Sequence, residues 1–188
     1  MRTKLLHIIC FLFLFSSCKN NIQQEINSAN ENLFLDNGIL MYNKKPFNGS
    51  LFTYFSENHL ESRIQYKEGK KDGYEKHWYE NGDLSILRFY NNGLKTGIHK
   101  GWWENGNLKF EYYFNNKGEY NGSVKEWYSS GIHCRAFNYI DGQENGRQQL
   151  WKIDGSIKAN YVVVNGERFG LIGLKKCYAV TINKKEIK

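Results

Sequence analysis

Short runs of apolar and aromatic residues alternate with polar ones along most of the chain, and glycine-containing turns separate these runs. Residues 85–90 (SILRFY) and 161–164 (YVVV) carry the β-branched and aromatic side chains that are typical of strands. A helical interpretation needs a 3.6-residue period and must accept a glycine about every twelve residues. Each glycine inside a helix would cost about 1 kcal/mol of stability. The pattern therefore predicts an all-β chain.

A fixed period underlies these runs. Six glycines recur in steps of 24, 24, 25, 24 and 24 residues: Gly49, Gly73, Gly97, Gly122, Gly146 and Gly170. Five residues after each of the first five stands an aromatic residue: Tyr54, Trp78, Trp102, Trp127 and Trp151. Self-similarity at one period is the signature of a repeat architecture. We number positions within each unit from its glycine, which is position 0.

Each unit contains two turns. Asn81-Gly82 and Asn92-Gly93 are examples, and Asn-Gly is a strong hairpin signal because both residues tolerate the positive φ of primed turns. Two strands per unit predict an elongated antiparallel β-meander of about five to six 24-residue hairpin repeats. Within residues 33–47, a strand pair around Asn37-Gly38 is expected to open the sheet.

The second strand of each unit has a regular composition. Positions 11, 13, 15 and 17 are largely apolar or aromatic, whereas position 12 is mixed. Since side chains alternate along a strand, these four positions are expected to share one face, with the other face mostly polar.

Two well-preserved units read GYEKHWYENGDL (73–84) and GSVKEWYSSG (122–131). They resemble the MORN repeat, in the variant abundant in bacterial proteins, and the resemblance covers about residues 36–170. It implies a stack of hairpins. Because bacterial proteins with this variant are often labelled YwqK-type antitoxins, it also implies an antitoxin role, at the level of the family alone.

The N-terminus has the features of an export signal. Arg2 and Lys4 precede an apolar run over residues 5–15, which as a helix would span about half of a bilayer core. A cleaved signal over residues 1–17 is therefore favoured over a spanning helix. The sequence around Cys18, Phe-Ser-Ser-Cys, resembles the lipobox of bacterial lipoproteins and implies that Cys18 is acylated. An ordinary signal peptide that contains a cysteine is the alternative.

The rest of the chain divides by composition. Residues 18–32 are polar and rich in Asn and Gln, and are interpreted as a tether. Residues 33–180 form the repeat domain, and residues 181–188 form a charged tail. Two or more acyl chains hold a protein stably on a membrane, so we expect a lipid anchor in the bacterial cell envelope, on the periplasmic or surface face of a membrane.

Composition excludes several classes. The 188 residues are 40% hydrophobic and 16% aromatic, which excludes disorder for most of the chain. The net charge of +7 is scattered, so binding of nucleic acid is not expected. An exported protein could pair Cys134 with Cys177, but their different repeat positions favour two unpaired thiols.

The sequence offers no set of residues that indicates catalysis. The four histidines after the signal occupy different repeat positions, and no metal-ligand spacing or nucleophile elbow occurs. We therefore expect no enzyme activity, no metal and no cofactor.

Two columns are binding candidates. The lysines at position 3 and the tryptophans at position 5 are Lys76, Lys100, Lys125, Trp78, Trp102 and Trp127. Such a ladder could hold an anionic polymer, a glycan or lipid head groups. Alternatively, the lysine stems cover the aromatic column and keep the sheet soluble, and the aromatic column serves packing.

These observations favour a membrane-anchored envelope lipoprotein with a non-catalytic β-repeat binding or scaffold domain. Its expected partners are the membrane, through the lipid, and a protein or glycan of the envelope. The alternative is an antitoxin or immunity-type protein that neutralises a partner toxin.

Overall fold

The computed structural model describes residues 24–172, in which every regular element is a strand. The predicted signal peptide, Cys18, Cys177 and the predicted tail lie outside the described residues. The strands are β1 (Gln24–Asn27), β2 (Leu33–Asp36), β3 (Ile39–Tyr42), β4 (Lys45–Pro46), β5 (Gly49–Ser56), β6 (His59–Lys67), β7 (Lys70–Trp78), β8 (Leu84–Asn91), β9 (Leu94–Lys95), β10 (Gly97–Trp102), β11 (Leu108–Phe114), β12 (Tyr120–Trp127), β13 (His133–Ile140), β14 (Gln143–Glu144), β15 (Gly146–Trp151), β16 (Ile157–Val164) and β17 (Glu167–Leu171).

One long, open sheet contains most of these strands. Its order is β1-β5-β6-β7-β8-β10-β11-β12-β13-β15-β16-β17, with β9 beside β8 and β14 beside β13. From β5 onward, neighbouring strands in this order follow one another along the chain, apart from the short β9 and β14, and all pair antiparallel, so the predicted meander of hairpins is confirmed. β1 instead runs parallel to β5.

Most turns between units are the predicted primed turns, whereas at residues 115–118 only Gly118 has positive φ, 82°. In Asn92-Gly93 both residues have positive φ, 48° and 84°, and Asn165-Gly166 has 52° and 83°. This combination defines the two-residue type I′ hairpin.

The turns inside units differ from the prediction. At Asn81-Gly82 only the glycine has positive φ, 87°. The Tyr79 N–H donates to the Asp83 carbonyl and the Gly82 N–H donates to the Tyr79 carbonyl, both at 2.9 Å. The primed-turn prediction is wrong here, because a longer connection closed by one left-handed glycine joins these strands.

A β-bulge recurs in every unit. Gly101 lies opposite Phe110 but Trp102 lies opposite Leu108, so Lys109 is an extra residue on β11. The corresponding residues at position 12 are Glu61, Ser85, Cys134 and Lys158. A bulge interrupts the alternation of side chains. Position 11 therefore lies on the face opposite to positions 13, 15 and 17, and the expectation that all four share one face is wrong.

The sheet thus has two faces, which we define on the third unit. Face A carries His99, Gly101, Phe110, Tyr112 and Phe114. Face B carries Lys100, Trp102, Leu108, Glu111 and Tyr113. His99 lies directly opposite Tyr112 across β10 and β11, and Lys100 lies directly opposite Glu111. Each pair therefore shares a face of the sheet.

Side chains at position 6 tie the second, third, fourth and fifth units together. The Tyr79 hydroxyl donates to the Trp102 carbonyl at 2.8 Å, and the Tyr128 hydroxyl donates to the Trp151 carbonyl at 3.0 Å. Between them, Trp103 Nε1 donates to the Trp127 carbonyl at 3.0 Å. Each bond spans one repeat, so these aromatic residues hold neighbouring hairpins in register.

The N-terminal end has its own small core. β2, β3 and β4 form a separate sheet, in which the predicted pair around Asn37-Gly38 is confirmed. Phe47 packs with Ile26 and Leu40, and all three are buried. Ile26 lies in β1, so part of the segment interpreted as a tether contributes to this core.

Candidate functional site

The lysine and tryptophan columns lie together on face B. In β7, β10 and β12 the residues at positions 3 and 5 are two apart, and the extra residue of the position-12 bulge lies on the partner strand, so their side chains point to the same side. Equivalent residues lie two strands apart, at about 10 Å. The structure therefore brings Lys76, Lys100, Lys125, Trp78, Trp102 and Trp127 onto one surface.

The bulge adds a third column to this surface. Leu84 lies opposite Trp78, Leu108 opposite Trp102, and His133 opposite Trp127. The His133 ring is centred 5.2 Å from that of Trp127 and 5.4 Å from that of Trp151. The tryptophans and position 11 therefore form a continuous ridge. The sequence pattern did not predict that position 11 lies on this surface, because nothing in its composition indicates a bulge.

The lysines of face B differ in their partners. Lys100 Nζ is paired with the Glu111 carboxylate at 3.0 Å. Lys76 Nζ lies 4.7 Å from the centre of the Tyr74 ring. Burial lowers the pKa of His133, and the charge of Lys125 lowers it further. Face B thus sets a row of cations beside an apolar ridge.

The centre of face A is the most enclosed part of the sheet. Its position-2 residues Glu75, His99, Val124 and Gln148 are between 0% and 3% exposed. These four side chains differ in charge, polarity and shape. No column of similar residues in the sequence therefore predicts that they are buried in a row. His99 packs 4.6 Å from Phe114 between ring centres.

Two of these side chains add hydrogen bonds to the backbone at gaps in the strand pairing, where the Phe89 and Asn138 carbonyls also accept from the Thr96 and Asn145 N–H groups. β8 pairs with β9 and with β10, but the register leaves a gap between the two pairings at Phe89. His99 Nε2 donates to the Phe89 carbonyl at 2.8 Å. At the equivalent gap, Gln148 Nε2 donates to the Asn138 carbonyl at 2.8 Å and Gln148 Oε1 accepts from the Asn138 N–H at 3.0 Å.

His99 makes the fold sensitive to mild acid. Burial lowers its pKa below the ordinary value of 6.5, and the charges of Arg88 and Lys95 lower it further. The unfolded chain therefore takes up this proton first, and stability falls as pH drops below about 6.5. We expect His99→Gln, which copies the hydrogen bond of Gln148, to flatten this part of the pH profile in urea unfolding between pH 7 and pH 5.

His59→Gln is the matched control, because His59 is exposed on β6. It should leave the slope of the wild-type profile unchanged. Equal slopes for wild type and His99→Gln would show that His99 does not carry the acid sensitivity.

Glu75 is the charged member of the row. Its carboxylate lies 2.8 Å from both Lys71 Nζ and His77 Nε2, and 3.5 Å from Arg88 Nη1. Burial favours the neutral acid, but hydrogen bonds from His77 and Lys71 outweigh it and hold the pKa of Glu75 well below its usual range. Burial, with the Glu75 charge, raises the pKa of Tyr90 to about 12.

A shallow groove of about 400 Å³ lies on face A beside Trp103, Lys109, Glu126 and Cys134. Glu126 is bonded there to the Tyr112 hydroxyl and to Arg135 Nη2, the latter at 2.6 Å. Across residues 24–172, no three His, Cys, Asp or Glu side chains are grouped closely enough to hold a metal ion. The same stretch contains no helix long and apolar enough to cross a membrane.

Comparisons with known proteins add no assignment. Neither a protein-family model nor a curated protein matches the sequence. What the geometry provides is a long sheet with a cationic and aromatic surface on one face and a buried polar row on the other.

Proposed function

We propose that the chain is a lipid-anchored protein of the bacterial cell envelope, whose sheet is a non-catalytic binding or scaffold module of MORN-variant repeats. The observation that carries this proposal is the order of features along the chain. An export signal ends at Cys18, and a repeat sheet with a regular cationic and aromatic face follows it.

The anchor and the sheet are close in sequence. β1 begins at Gln24, so only residues 19–23 separate it from the acylated Cys18. At 3.3–3.6 Å per extended residue, they span at most about 20 Å. The module is thus held near the membrane surface, within reach of polymers of the envelope.

The regular spacing of the lysines on face B favours a binding partner with regularly spaced negative groups. Its cations recur about every 10 Å, beside a ridge of apolar side chains. An anionic glycan strand or an extended acidic protein segment matches that spacing, and weak contacts repeated along several units add up through effective concentration.

Acylation is tested with the full-length chain in an exporting bacterial host. After growth with labelled palmitate, we expect the wild type to carry label and to fractionate with membranes. Cys18→Ala should lose both properties, because Cys10, the other cysteine before the sheet, lies inside the apolar run of the signal. Cys134→Ala is the matched control and should keep both. An unlabelled wild type, or unchanged labelling of Cys18→Ala, would refute the anchor.

Binding is tested by sedimentation with purified cell-wall sacculi. We expect salt-sensitive co-sedimentation that falls at least about tenfold in the double variant Lys76→Glu/Lys125→Glu, because attraction to an anionic polymer becomes repulsion. Lys95→Glu/Lys109→Glu is the control, because these lysines lie over Phe114 and Trp103, away from face B. Equal losses in both variants would exclude face B as the binding surface. Protection of cells from a co-expressed envelope toxin, without sacculus binding, would favour the immunity-type alternative.

A further inference from the structure

The two ends of the main sheet are finished differently. At the N-terminal end, β1 covers β5 and the small sheet packs beside it around Phe47. At the other end, β17 pairs with β16 on one side, and all five of its residues are exposed. Phe169 and Leu171 are 56% and 52% exposed.

β17 has few of the features that protect an edge strand. Exposed edges are commonly guarded by lysine, proline or a bulge, because their unpaired N–H and C=O groups are a template for another strand. β17 has no lysine or proline, and its register with β16 has no shift. Its one cation is Arg168, whose Nη2 is paired with the Glu144 carboxylate at 2.9 Å.

The backbone direction of β17 follows from its turn. After the two-residue turn at Asn165-Gly166, Glu167, Phe169 and Leu171 exchange hydrogen bonds with β16. The backbone groups of Arg168 and Gly170 therefore point away from the sheet, and no strand within residues 24–172 pairs with them.

We propose that β17 pairs antiparallel with β17 of a second copy, about a two-fold axis through Gly170, so that two sheets join into one. In this register Phe169 lies opposite Leu171 of the second copy, on face B. Gly170 meets Gly170, and Arg168 meets the apolar Ile172.

The strand is self-complementary in this register and not in the neighbouring ones. Centring the axis on Arg168 sets two arginines opposite each other, and centring it on Phe169 sets Glu167 opposite Leu171. Cross-strand apolar pairs stabilise a sheet and like charges destabilise it. A closed two-fold pair also leaves no free β17 edge, which makes a second copy a better occupant than an unrelated strand.

The register is tested by cross-linking the full-length chain in a Cys134→Ser/Cys177→Ser background. Chains with Phe169→Cys and chains with Leu171→Cys, carrying different tags, are co-expressed, extracted in mild detergent and oxidised. We expect a disulfide-linked pair that carries both tags, formed at least about tenfold more than the pair from either variant alone. Ile153→Cys with Leu171→Cys is the control and should not cross-link, because exposed Ile153 lies at a turn inside a unit.

Association is tested independently by sedimentation velocity in the same detergent. The wild type should sediment as a dimer, and Phe169→Lys/Leu171→Lys as a monomer. Ile153→Lys removes an apolar side chain that is more exposed, at 69%, and should remain dimeric. A monomeric wild type, as expected if another segment of the same chain covers β17, would overturn the proposal, as would equal cross-linking of the single variants.

Discussion

Replacing Glu75 by alanine is expected to lower the free energy of unfolding by about 3–5 kcal/mol, because one partner of a buried charge cluster is removed. The Glu75 side chain is only 4% exposed and lies among Lys71, His77 and Arg88. Without the carboxylate, these cations remain close together and partly buried. Glu75→Gln keeps the shape of the side chain without its charge. Its free energy of unfolding should lie between those of the wild type and of Glu75→Ala.

Urea unfolding followed by tryptophan fluorescence measures this loss. Glu111→Ala is the matched control, because it removes the carboxylate from the more exposed pair with Lys100. Its cost should be no more than about 1 kcal/mol. Similar losses for the two variants would contradict the special role of the Glu75 cluster.

The same cluster predicts sensitivity to stronger acid. Because the pKa of Glu75 is lowered in the folded protein, its contribution is complete above the unfolded value of 4.5. It is lost as pH falls below that value, since the unfolded chain takes up the proton first. In Glu75→Gln this part of the acid-unfolding profile should be flatter.

Replacing Gly101 by valine is expected to destabilise the fold by about 1–3 kcal/mol through overpacking. Gly101 is buried at position 4, and a Cβ there would overlap the ring of Phe110, which lies directly across from it. Valine otherwise favours strands, so a loss of stability isolates the steric effect.

A double-mutant cycle in urea tests the steric cause. In a Phe110→Ala background, Gly101→Val should be neutral or stabilising, because the added methyl groups occupy the space that the ring leaves. An equal cost in both backgrounds would contradict overpacking against Phe110.

Local chemistry explains why much of the fold can be predicted from sequence. Turns such as Asn92-Gly93 and Asn37-Gly38 need residues that accept positive φ, and these residues mark the strand ends. The strand-type runs between them then leave an antiparallel meander as the natural connection. The shared face of Lys76 and Trp78 follows in the same way, since alternation places residues two apart on one strand together.

The bulge at position 12 cannot be predicted in this way. Its residues are Glu61, Ser85, Lys109, Cys134 and Lys158, and no side-chain property unites them. The bulge results from the hydrogen-bond register between two strands whose connection is longer than a primed turn. That register moves position 11 to face B, where His133 joins the tryptophans.

The sequence by itself therefore determined the all-β class, the hairpin period and the lysine and tryptophan columns, because each depends on residues a few positions apart. Only the tertiary structure decided that position 11 lies beside the tryptophans, that Glu75 and His99 are buried, and that β17 is the last strand of the sheet within residues 24–172. These features depend on which strands lie side by side, and pairing across strands joins residues that no local pattern relates.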